Sequence, residues 1–524
     1  MKPIIRKEKV RDFHQAKWNE PIIFELHTAG EKGVEIPLAN ENVINEVGDG
    51  ISAIPKSMVR LEKPKLPEIS QARVLRHYLR LSQETLGSDF NVEIGQGTCT
   101  MKYIPKINEM LVRNPKIMEL HPLQAESTVQ GTLEIIHNLD LCMREISGLD
   151  AFSFQPSGGT QALFAMASIV RKYHEDRGEG DQRDEIITTI FSHPSQAATA
   201  AVKGYKIITL HPDKEGFPSL EKLKEVVSER TAGFVVANPE DTGIYNPKIK
   251  EFTKIVHDAG GICYYDQANA NGLLGITRAK EAGFDMCFFN LHKTFAAPHM
   301  CGGPATGALG VTEALKQYLP APIVEFDGEN YTLNFDLASS IGKVRVFHGV
   351  TQTILRAYAW IRSLGADGLK EVAETAVLNN NYLYHKIIKI RGASAPYVVG
   401  QRLEQVRYSW KKLTDETGIT TEDVQRRMTD FGLHYWTSHH PYIVPQPFTL
   451  EPTESYSKSD LDEYIHALEE ISKEAYENPT LVKNAPYNST IHQLVENDYL
   501  DNPEKWCITW RLYQKKVLNP VYNQ

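Results

Sequence analysis

Residues 284–307 read FDMCFFNLHKTFAAPHMCGGPATG. An apolar run rich in aromatic residues ends at Asn290, and Lys293 follows it in a segment that contains several Pro and Gly residues. The apolar run has the length and composition of a buried β-strand. A lysine in contact with solvent needs no such surroundings. We therefore expect Lys293 to lie buried at a strand end, where a lysine amine can form a Schiff base with a carbonyl compound.

The segments before this stretch alternate between β-rich and helical patterns. The β-rich runs are DEIITTIF (184–191), YKIITL (205–210), AGFVVAN (232–238) and GICYYD (261–266). Strands that alternate with helices predict βαβ units, and therefore an α/β fold with a mostly parallel sheet. Ligands of such sheets bind beyond the carboxyl ends of the strands. The residues that follow each β-rich run are therefore candidates for a functional site.

Asp266 is the last residue of its β-rich run, and the next run leads to Lys293. A carboxylate at this place can hold a ring nitrogen protonated, as in enzymes that use pyridoxal phosphate as an electron sink. The alternative for Asp266 is a turn residue that caps the next loop. The neighbouring strand positions favour a carboxylate and an amine on opposite sides of one cofactor ring.

A phosphate site is predicted where AFSFQPSGGT leads into an amphipathic helix. Ser157, Gly158, Gly159 and Thr160 would offer backbone N–H groups and hydroxyls at the positive end of that helix. The alternative is an ordinary helix start.

Two further strand ends carry candidate residues. His193 could stack on the cofactor ring or take part in proton transfer, and Asn238 could donate its amide to a ring hydroxyl. The alternatives are a histidine at a helix start and an Asn-Pro turn. The order of phosphate loop, stacking residue, Asn, Asp and Lys in one α/β region favours the cofactor-binding interpretation.

The organisation of the chain predicts four parts. Residues 1–120 form an N-terminal arm with helical segments, and residues 121–345 form the large α/β domain. Residues 346–485, with the helical patterns 351–365 and 368–390, form a smaller α+β domain, and residues 486–524 form a C-terminal extension.

Composition excludes several classes of protein. The chain has 524 residues, a net charge of −9 and six cysteines, and none of the cysteines forms a CxxC pair. These features predict a cytoplasmic protein with no affinity for nucleic acid or membranes and no bound metal. The sequence lacks a GxGxxG fingerprint and a P-loop. The nearest approach to a metal motif is the pair His439 and His440, and adjacent loop histidines are usually exposed polar groups.

With these residues in order, the chain resembles the glycine decarboxylase P-protein of the glycine cleavage system, and more narrowly subunit 2 of its split bacterial form. The resemblance rests on collinear stretches that run through most of the chain. Examples are LHPLQAESTVQG (120–131), GGICYYDQANANGLLGI (260–276), NLHKTFAAPH (290–299), LEPTESYSKSDLDEYIHAL (450–468) and LVKNAPYNSTIHQL (481–494). It implies the type I, aminotransferase-like fold of pyridoxal 5'-phosphate enzymes.

The resemblance also implies roles for individual residues. Lys293 would be the Schiff-base lysine, Asp266 the partner of the pyridine nitrogen, and His193 the residue over the ring. The residues that would hold the phosphate are Ser157, Gly158, Gly159 and Thr160, with possible help from Thr294. The implied reaction is decarboxylation of an amino acid through an external aldimine, with transfer of an aminomethyl group to a lipoyl H-protein. The implied assembly is a heterotetramer with a homologous subunit 1, and a homodimer is the alternative.

Several active-site stretches depart from the family pattern. Where the family has Gly-Ala-His-Gly-Glu this chain has GGTQA (158–162), and where the family has Ser-Ala-His-Gly-Thr-Asn it has FSHPSQ (191–196). Met300 and Cys301 replace glycines and would fill space beside the cofactor. Two alternatives follow: a paralogue that decarboxylates, transaminates or forms a carbon–carbon bond on another amino acid, or a noncatalytic scaffold subunit. The departures predict weak activity with glycine.

Overall fold

The structure is a computed structural model. It describes residues 10–11, 13–48, 50–62, 64–86, 91–92, 94, 100, 102–299, 305–397, 400–435, 443–490 and 509–515. The chain forms two compact units. One comprises Met1–Arg11 with Asn91–Asn484, and the other comprises Asp12–Phe90 with Ala485–Gln524.

The smaller unit joins residues from both ends of the sequence. The Lys17 amine donates to the backbone oxygen of Tyr487 at 2.8 Å, and the rings of Phe24 and Trp510 stack with centroids 4.9 Å apart. Glu20 bonds to the buried His77 at 2.9 Å. The unit contains α1 (Glu41–Val47), α2 (Gln71–Gln83), a last short helix (Trp510–Tyr513) and the 3₁₀ turns Ile23–Leu26, Gly50–Ala53 and Lys56–Met58.

Many large apolar side chains of this unit are exposed in the single chain. They include Val34, Ile36, Leu38, Leu61 and Leu66. Because a soluble domain rarely leaves so many apolar side chains in water, this surface is suited to contact with another protein.

The larger unit contains the remaining elements. Its helices are α3 (Lys106–Val112), α4 (Pro115–Met118), α5 (Gln130–Ser147), α6 (Gly159–Asp176), α7 (Pro194–Val202), α8 (Leu220–Val226), α9 (Ile249–Asp258), α10 (Thr351–Ile387), α11 (Lys411–Thr417), α12 (Thr421–Thr429), α13 (Lys458–Glu477) and α14 (Pro479–Lys483). Its strands are β1 (Ala151–Ser153), β2 (Glu185–Thr189), β3 (Lys206–Leu210), β4 (Thr231–Ala237), β5 (Ile262–Asp266), β6 (Met286–Asn290), β7 (Gly307–Val311), β8 (Ile323–Phe326), β9 (Tyr331–Asn334), β10 (Val406–Ser409) and β11 (Pro447–Leu450). Two 3₁₀ turns, Glu126–Thr128 and Glu313–Tyr318, complete the list.

The main sheet has seven strands in the order β1-β7-β6-β5-β4-β2-β3. The pairs β3–β2, β2–β4, β4–β5 and β5–β6 are parallel, whereas β7 runs antiparallel to both β6 and β1. The predicted α/β fold with a mostly parallel sheet is therefore confirmed.

Both faces of the sheet are covered, as expected for parallel strands. Neighbouring residues of one strand enter different apolar clusters: Tyr264 and Phe288 belong to one cluster, and Tyr265 and Phe289 belong to the other. The strands therefore carry near-continuous apolar sequences, which is why the β-rich runs were visible without alternation.

All five β-rich runs are strands in the structure, but β1 and β7 were not predicted. The sequence of β7, GALGV, is poor in strand-forming residues because its glycines make room for neighbours. A Cβ at Gly310 would lie 2.3 Å from Cζ of Phe152, and a Cβ at Gly307 would lie 2.8 Å from the backbone oxygen of Gly158. Close packing across the sheet and toward α6 therefore decides the composition of β7.

The C-terminal part of this unit has its own apolar cluster, which includes Trp410, Tyr435 and Phe448. Strands β10 and β11 pair antiparallel, and α11 to α14 surround them. Helix α10 leads into this part and is interrupted at Gly365, whose backbone is not helical (φ 66°, ψ −173°). This break matches the two helical patterns expected from the sequence. The predicted boundaries at 120, 345 and 485 stay predictions.

None of the helices in the described residues combines the length and the apolar composition of a membrane span.

Gly243 offers a test of how closely two loops pack. Its φ is +73°, and a Cβ there would lie 1.7 Å from the backbone oxygen of Gln405. Gly418 has nearly the same φ, +76°, but no atom within 4 Å of its Cβ position. We expect Gly418→Ala to cost about 1–2 kcal/mol from its backbone conformation alone. Gly243→Ala should cost about 1–3 kcal/mol more, because the backbone of residue 405 must move.

The measurement is the thermal unfolding midpoint of both variants and the wild type at one scan rate. Equal midpoints for the two variants would contradict the close approach of Gly243 to Gln405.

Candidate active site

A cavity of about 930 Å³ lies at the carboxyl ends of β4, β5 and β6. Asn238 follows β4, Asp266 is the last residue of β5, and Lys293 follows β6. All predicted site residues line this cavity except Thr294: they are Ser157, Gly158, Gly159, Thr160, His193, Asn238, Asp266 and Lys293. The fold therefore brings together residues that are up to 136 positions apart in the sequence (293 − 157).

The N-terminus of α6 forms one wall of the cavity. The N–H groups of Gly159 and Thr160 have no acceptor among the described residues, since the first bond of the helix runs from Ala162 to the oxygen of Gly158 at 2.9 Å. A Cβ at Gly159 would lie 3.0 Å from Nδ2 of Asn290. Free N–H groups at the start of an 18-residue helix suit an anion such as phosphate.

Gln161 restricts this wall in a way that the sequence analysis did not predict. Its Oε1 accepts from the N–H of Ser157 at 2.7 Å, and its Nε2 donates to the oxygen of Val344 at 2.6 Å. The Ser157 N–H is therefore occupied, and the N–H groups of Gly159 and Thr160 remain for a ligand.

Asp266 is buried and held by two donors. Nε2 of Gln196 donates to its Oδ2 at 2.8 Å, and the N–H of Ala268 donates to its Oδ1 at 3.0 Å. Burial raises the pKa of this carboxyl, and the two hydrogen bonds and the charge of Lys293 offset that rise in part. A cationic group placed against Asp266 in the cavity would stabilise its charged form further.

Lys293 is 8% exposed and follows β6 in a turn, in which its N–H donates to the oxygen of Asn290 at 3.0 Å. Its neighbours Phe289, Leu291 and Phe295 are buried in the apolar cluster on one face of the sheet. Among the described residues, the Lys293 amine forms no hydrogen bond or ion pair. It is therefore available for a reaction in the cavity.

His193 is the N-cap of α7, and its Nδ1 lies 2.6 Å from Oγ of Ser195. The side chain is exposed and lines the cavity. The structure thus combines the two interpretations given to this residue, since a helix-capping histidine also faces the site.

The side chains of Asn238 and Thr294 have structural partners. Nδ2 of Asn238 donates to the oxygen of Asn246 at 3.2 Å, and its Oδ1 accepts from the N–H of Asn246 at 2.8 Å. Oγ1 of Thr294 accepts from the N–H of Ala270 at 2.9 Å, and the residue is fully buried. One amide hydrogen of Asn238 stays available to a ligand. Contacts of both residues with a cofactor stay predictions.

Sequence reasoning missed several polar residues of the cavity. His292 is buried against His299, with ring centroids 4.3 Å apart, and burial lowers its pKa to about 2. Glu404 lines the cavity from a segment more than a hundred residues beyond Lys293, and burial raises its pKa to about 8. His292 had a signal in its position beside Lys293, but Glu404 had none, because only the fold brings it to the site.

Two of the sequence expectations concern residues outside the described ranges. The pair His439 and His440 lies there, and so do Met300 and Cys301. Within the described ranges, His257, Cys263 and Asp285 have side-chain donor atoms within 4.8 Å of one another. Nε2 of His257 bonds to Asp285 at 2.8 Å, and burial holds the pKa of the Cys263 thiol well above its usual value. A protonated thiol beside an ion pair accounts for this cluster without a metal.

Two family models match the chain. Residues 156–392 match Aminotransferase class-V, and residues 372–491 match Glycine dehydrogenase, C-terminal domain. Together they cover the sheet, the cavity and the C-terminal part of the larger unit.

Similar proteins cover nearly the whole chain. A protein of Pyrococcus abyssi named probable glycine dehydrogenase (decarboxylating) subunit 2 is 44% identical over 505 residues, which are 96% of this chain and 98% of the relative. A protein with the same name from Caldanaerobacter subterraneus subsp. tengcongensis is 39% identical and covers 92% of this chain and 97% of its own length.

Solved structures agree with the fold. The inhibitor-bound glycine decarboxylase (P-protein) of the glycine cleavage system superposes with a TM-score of 0.67 and 20% identity over 84% of this chain and all of the other. A NifS-like protein superposes with a TM-score of 0.56 and 16% identity over 73% of this chain and 99% of the other. Both comparisons support the type I, aminotransferase-like fold.

The buried carboxyl of Glu404 predicts a dependence of stability on pH. Its pKa is about 8 in the folded chain and near 4.5 when exposed, so the folded state binds the proton more tightly. Stability is therefore fully present below about pH 4.5 and declines as the pH rises toward 8, by up to about 1.4 kcal/mol per pH unit. Glu404→Gln, which cannot ionise, should flatten this decline.

The measurement is the thermal midpoint from pH 5 to pH 9 for wild type, Glu404→Gln and the exposed control Glu145→Gln. The control should follow the wild type. A Glu404→Gln profile parallel to both would contradict a raised pKa of Glu404.

Proposed function

Because the chain belongs to the glycine dehydrogenase (decarboxylating) subunit 2 family, we propose that it is the cofactor-bearing subunit of a glycine decarboxylase. It is an enzyme dependent on pyridoxal 5'-phosphate, with the type I fold of that class. The proposal assigns the cofactor to the cavity between the α6 N-terminus and the ends of β5 and β6.

The residues of the cavity fit this cofactor. The free N–H groups of Gly159 and Thr160, with the hydroxyls of Ser157 and Thr160, suit the phosphate. The carboxyl of Asp266 suits a protonated ring nitrogen, and the amine of Lys293 suits an aldehyde. The observation that carries the proposal is that an anion site, a buried carboxyl and an unpaired buried amine line one cavity.

The cofactor, when bound, supplies an aldehyde that condenses with amines and a ring that delocalises a carbanion. The protein residues do the rest. Asp266, held by Gln196 and Ala268, would keep the ring nitrogen cationic. His193, fixed by Ser195 at the start of α7, would lie beside the ring and could hold or move a proton. The Lys293 amine would hold the cofactor until a substrate amine displaces it.

The family assigns glycine as the substrate and a lipoyl H-protein as the acceptor of the aminomethyl group. The name subunit 2 implies a subunit 1, so we propose a heterotetramer with that homologue rather than a homodimer. The exposed apolar side chains of the smaller unit, such as Ile36 and Leu38, support a surface for that partner.

A second candidate is the same chemistry on another amino acid. Gln161 and Gln196 both occur in the stretches that depart from the family pattern. Each is bonded into the site, Gln161 to Ser157 and Gln196 to Asp266. Substituted residues that make specific bonds are signs of an altered site rather than of lost function, and they favour a changed substrate over a noncatalytic scaffold.

The first prediction concerns Lys293. Lys293→Ala should lose the visible band near ~420 nm that a lysine-bound cofactor gives, and its turnover should fall at least about a thousandfold. After borohydride reduction, mass spectrometry of wild type should find the cofactor on the peptide that contains Lys293. Lys280→Ala, an exposed control, should keep band and activity. An unchanged band in Lys293→Ala would refute the assignment.

The second prediction concerns the substrate. We expect glycine to change the spectrum of the bound cofactor and to support exchange of labelled bicarbonate when H-protein and subunit 1 are added. The same screen includes alanine, serine and larger amino acids. A response to one of these without a response to glycine would contradict the first candidate. It would agree with the weak activity that the departures from the family pattern predict.

A further inference from the structure

Glu451 is a buried carboxyl without a role in the proposed reaction. It follows β11 and has no exposed surface. Its Oε1 accepts three hydrogen bonds, from Oγ1 of Thr100 at 2.8 Å, Nδ2 of Asn269 at 2.6 Å and Nδ2 of Asn271 at 3.0 Å. Oε2 is buried and has no hydrogen-bond partner in the described part of the chain. Three donors on one oxygen favour the charged form of the carboxyl.

These bonds connect Glu451 to both segments that carry the candidate catalytic groups. Asn269 and Asn271 belong to the loop that begins at Asp266, and the N–H of Ala270 in that loop donates to Oγ1 of Thr294 at 2.9 Å. Glu451 therefore holds the loop after Asp266 against the segment of Lys293.

Glu404 is the second buried carboxyl of this region. It is 2% exposed, lines the cavity and has an Oε2 atom with no bond to any described residue. Burial and the repulsion between Glu404 and Glu451 raise the pKa of Glu404 to about 8. Burial raises the pKa of Glu451 to about 7, although its three hydrogen bonds and the charge of Lys293 act in the opposite direction.

The other charged groups near Lys293 have partners of their own. Asp266 accepts from Gln196 and from a backbone N–H. Lys102, whose charge also acts on Glu451, pairs with Glu454 at 3.0 Å.

The remaining titratable neighbours do not compensate the Lys293 charge. Burial and the positive charge of Lys293 keep the pKa of His292 low, so this ring is neutral. The hydroxyl of Tyr265, which faces Glu404 and Asp266, has a pKa far above neutral pH and is also uncharged. Glu451 is thus the carboxyl best placed to compensate the charge of a free Lys293 amine.

We propose that Glu451 is a positioning residue that acts through Lys293, as the counter-charge of the ammonium form of this lysine. The inference rests on the proposed function, in which the lysine alternates between a free and a cofactor-bound state. Each release of Lys293 produces a buried amine, and an ionised Glu451 stabilises the proton that this amine takes up. Glu404 acts against this effect, because its ionisation disfavours that of Glu451.

The test is competitive acetylation of the cofactor-free protein with acetic anhydride across pH 6 to 11. Acetylation of Lys293 is followed by peptide mass spectrometry, with the exposed Lys222 as reference in the same digest. Only the neutral amine reacts. Glu451→Gln keeps the size of the side chain and an oxygen for the three donors, but removes the charge. We expect the midpoint of its Lys293 profile to lie at least about one pH unit below wild type, which is a tenfold change in the protonation equilibrium.

Two further variants keep the test decisive. Thr100→Val removes one donor from Glu451 without a change in size, and it should move the midpoint in the same direction by less. Glu404→Gln removes the opposing carboxyl, so its midpoint should equal the wild type or lie higher. Circular dichroism checks that each variant is folded, and Thr100→Val decides the matter if Glu451→Gln is not.

The proposal is overturned if the folded Glu451→Gln and Thr100→Val proteins give the wild-type midpoint. It is also overturned if Glu404→Gln lowers the midpoint as far as Glu451→Gln. A purely structural role for Glu451 would leave the Lys293 profile unchanged. Because the measurement is made without cofactor, it can fail while the Lys293→Ala prediction succeeds, and the reverse.

Discussion

The candidate site depends on one constraint: two neighbouring parallel strands end at the same edge of a sheet, one in a carboxyl and the other shortly before an amine. Strands β5 and β6 are in register from Tyr264 and Met286 onward, so Asp266 lies opposite Phe288. Both strands are buried on both faces, and this burial removes Asp266 and Lys293 from bulk water. The charge of each is therefore determined by the other and by the few groups around them.

The second requirement is close approach of backbone to ligand. Helix α6 begins at Gly159, where a side chain would collide with Asn290. Gly307 on β7 lies just as close to Gly158. Small residues at these places allow the helix start to lie directly against the sheet edge. The free N–H groups of that start then face the same cavity as Asp266 and Lys293, which is the arrangement that an anionic cofactor with a reactive aldehyde requires.

The polar residues behind the site form a connected set rather than isolated contacts. Gln196 holds Asp266, and Glu451 holds the loop that follows it. Gln196 belongs to a stretch that departs from the family pattern, whereas Glu451 lies in a stretch that supports the resemblance. The substituted residues therefore contact the cofactor side of the cavity, and the retained ones support it from behind. Such a division is compatible with an unchanged cofactor and with a substrate that only experiment identifies.

The sequence by itself determined the α/β class, the five central strands and the position of Lys293, Asp266 and the phosphate loop at strand or helix ends. These features are local, because the apolar pattern of a buried strand and the residues that follow it are contiguous in the chain. Strands β1 and β7 escaped prediction, because packing against Phe152 and Gly158 sets their composition. Only the tertiary structure decided that Glu404 and Glu451 approach the site, and that the Asn238 amide and the Thr294 hydroxyl bond to neighbouring backbone. Those contacts join segments separated by many residues, and no local pattern records which distant groups share one buried, weakly screened volume.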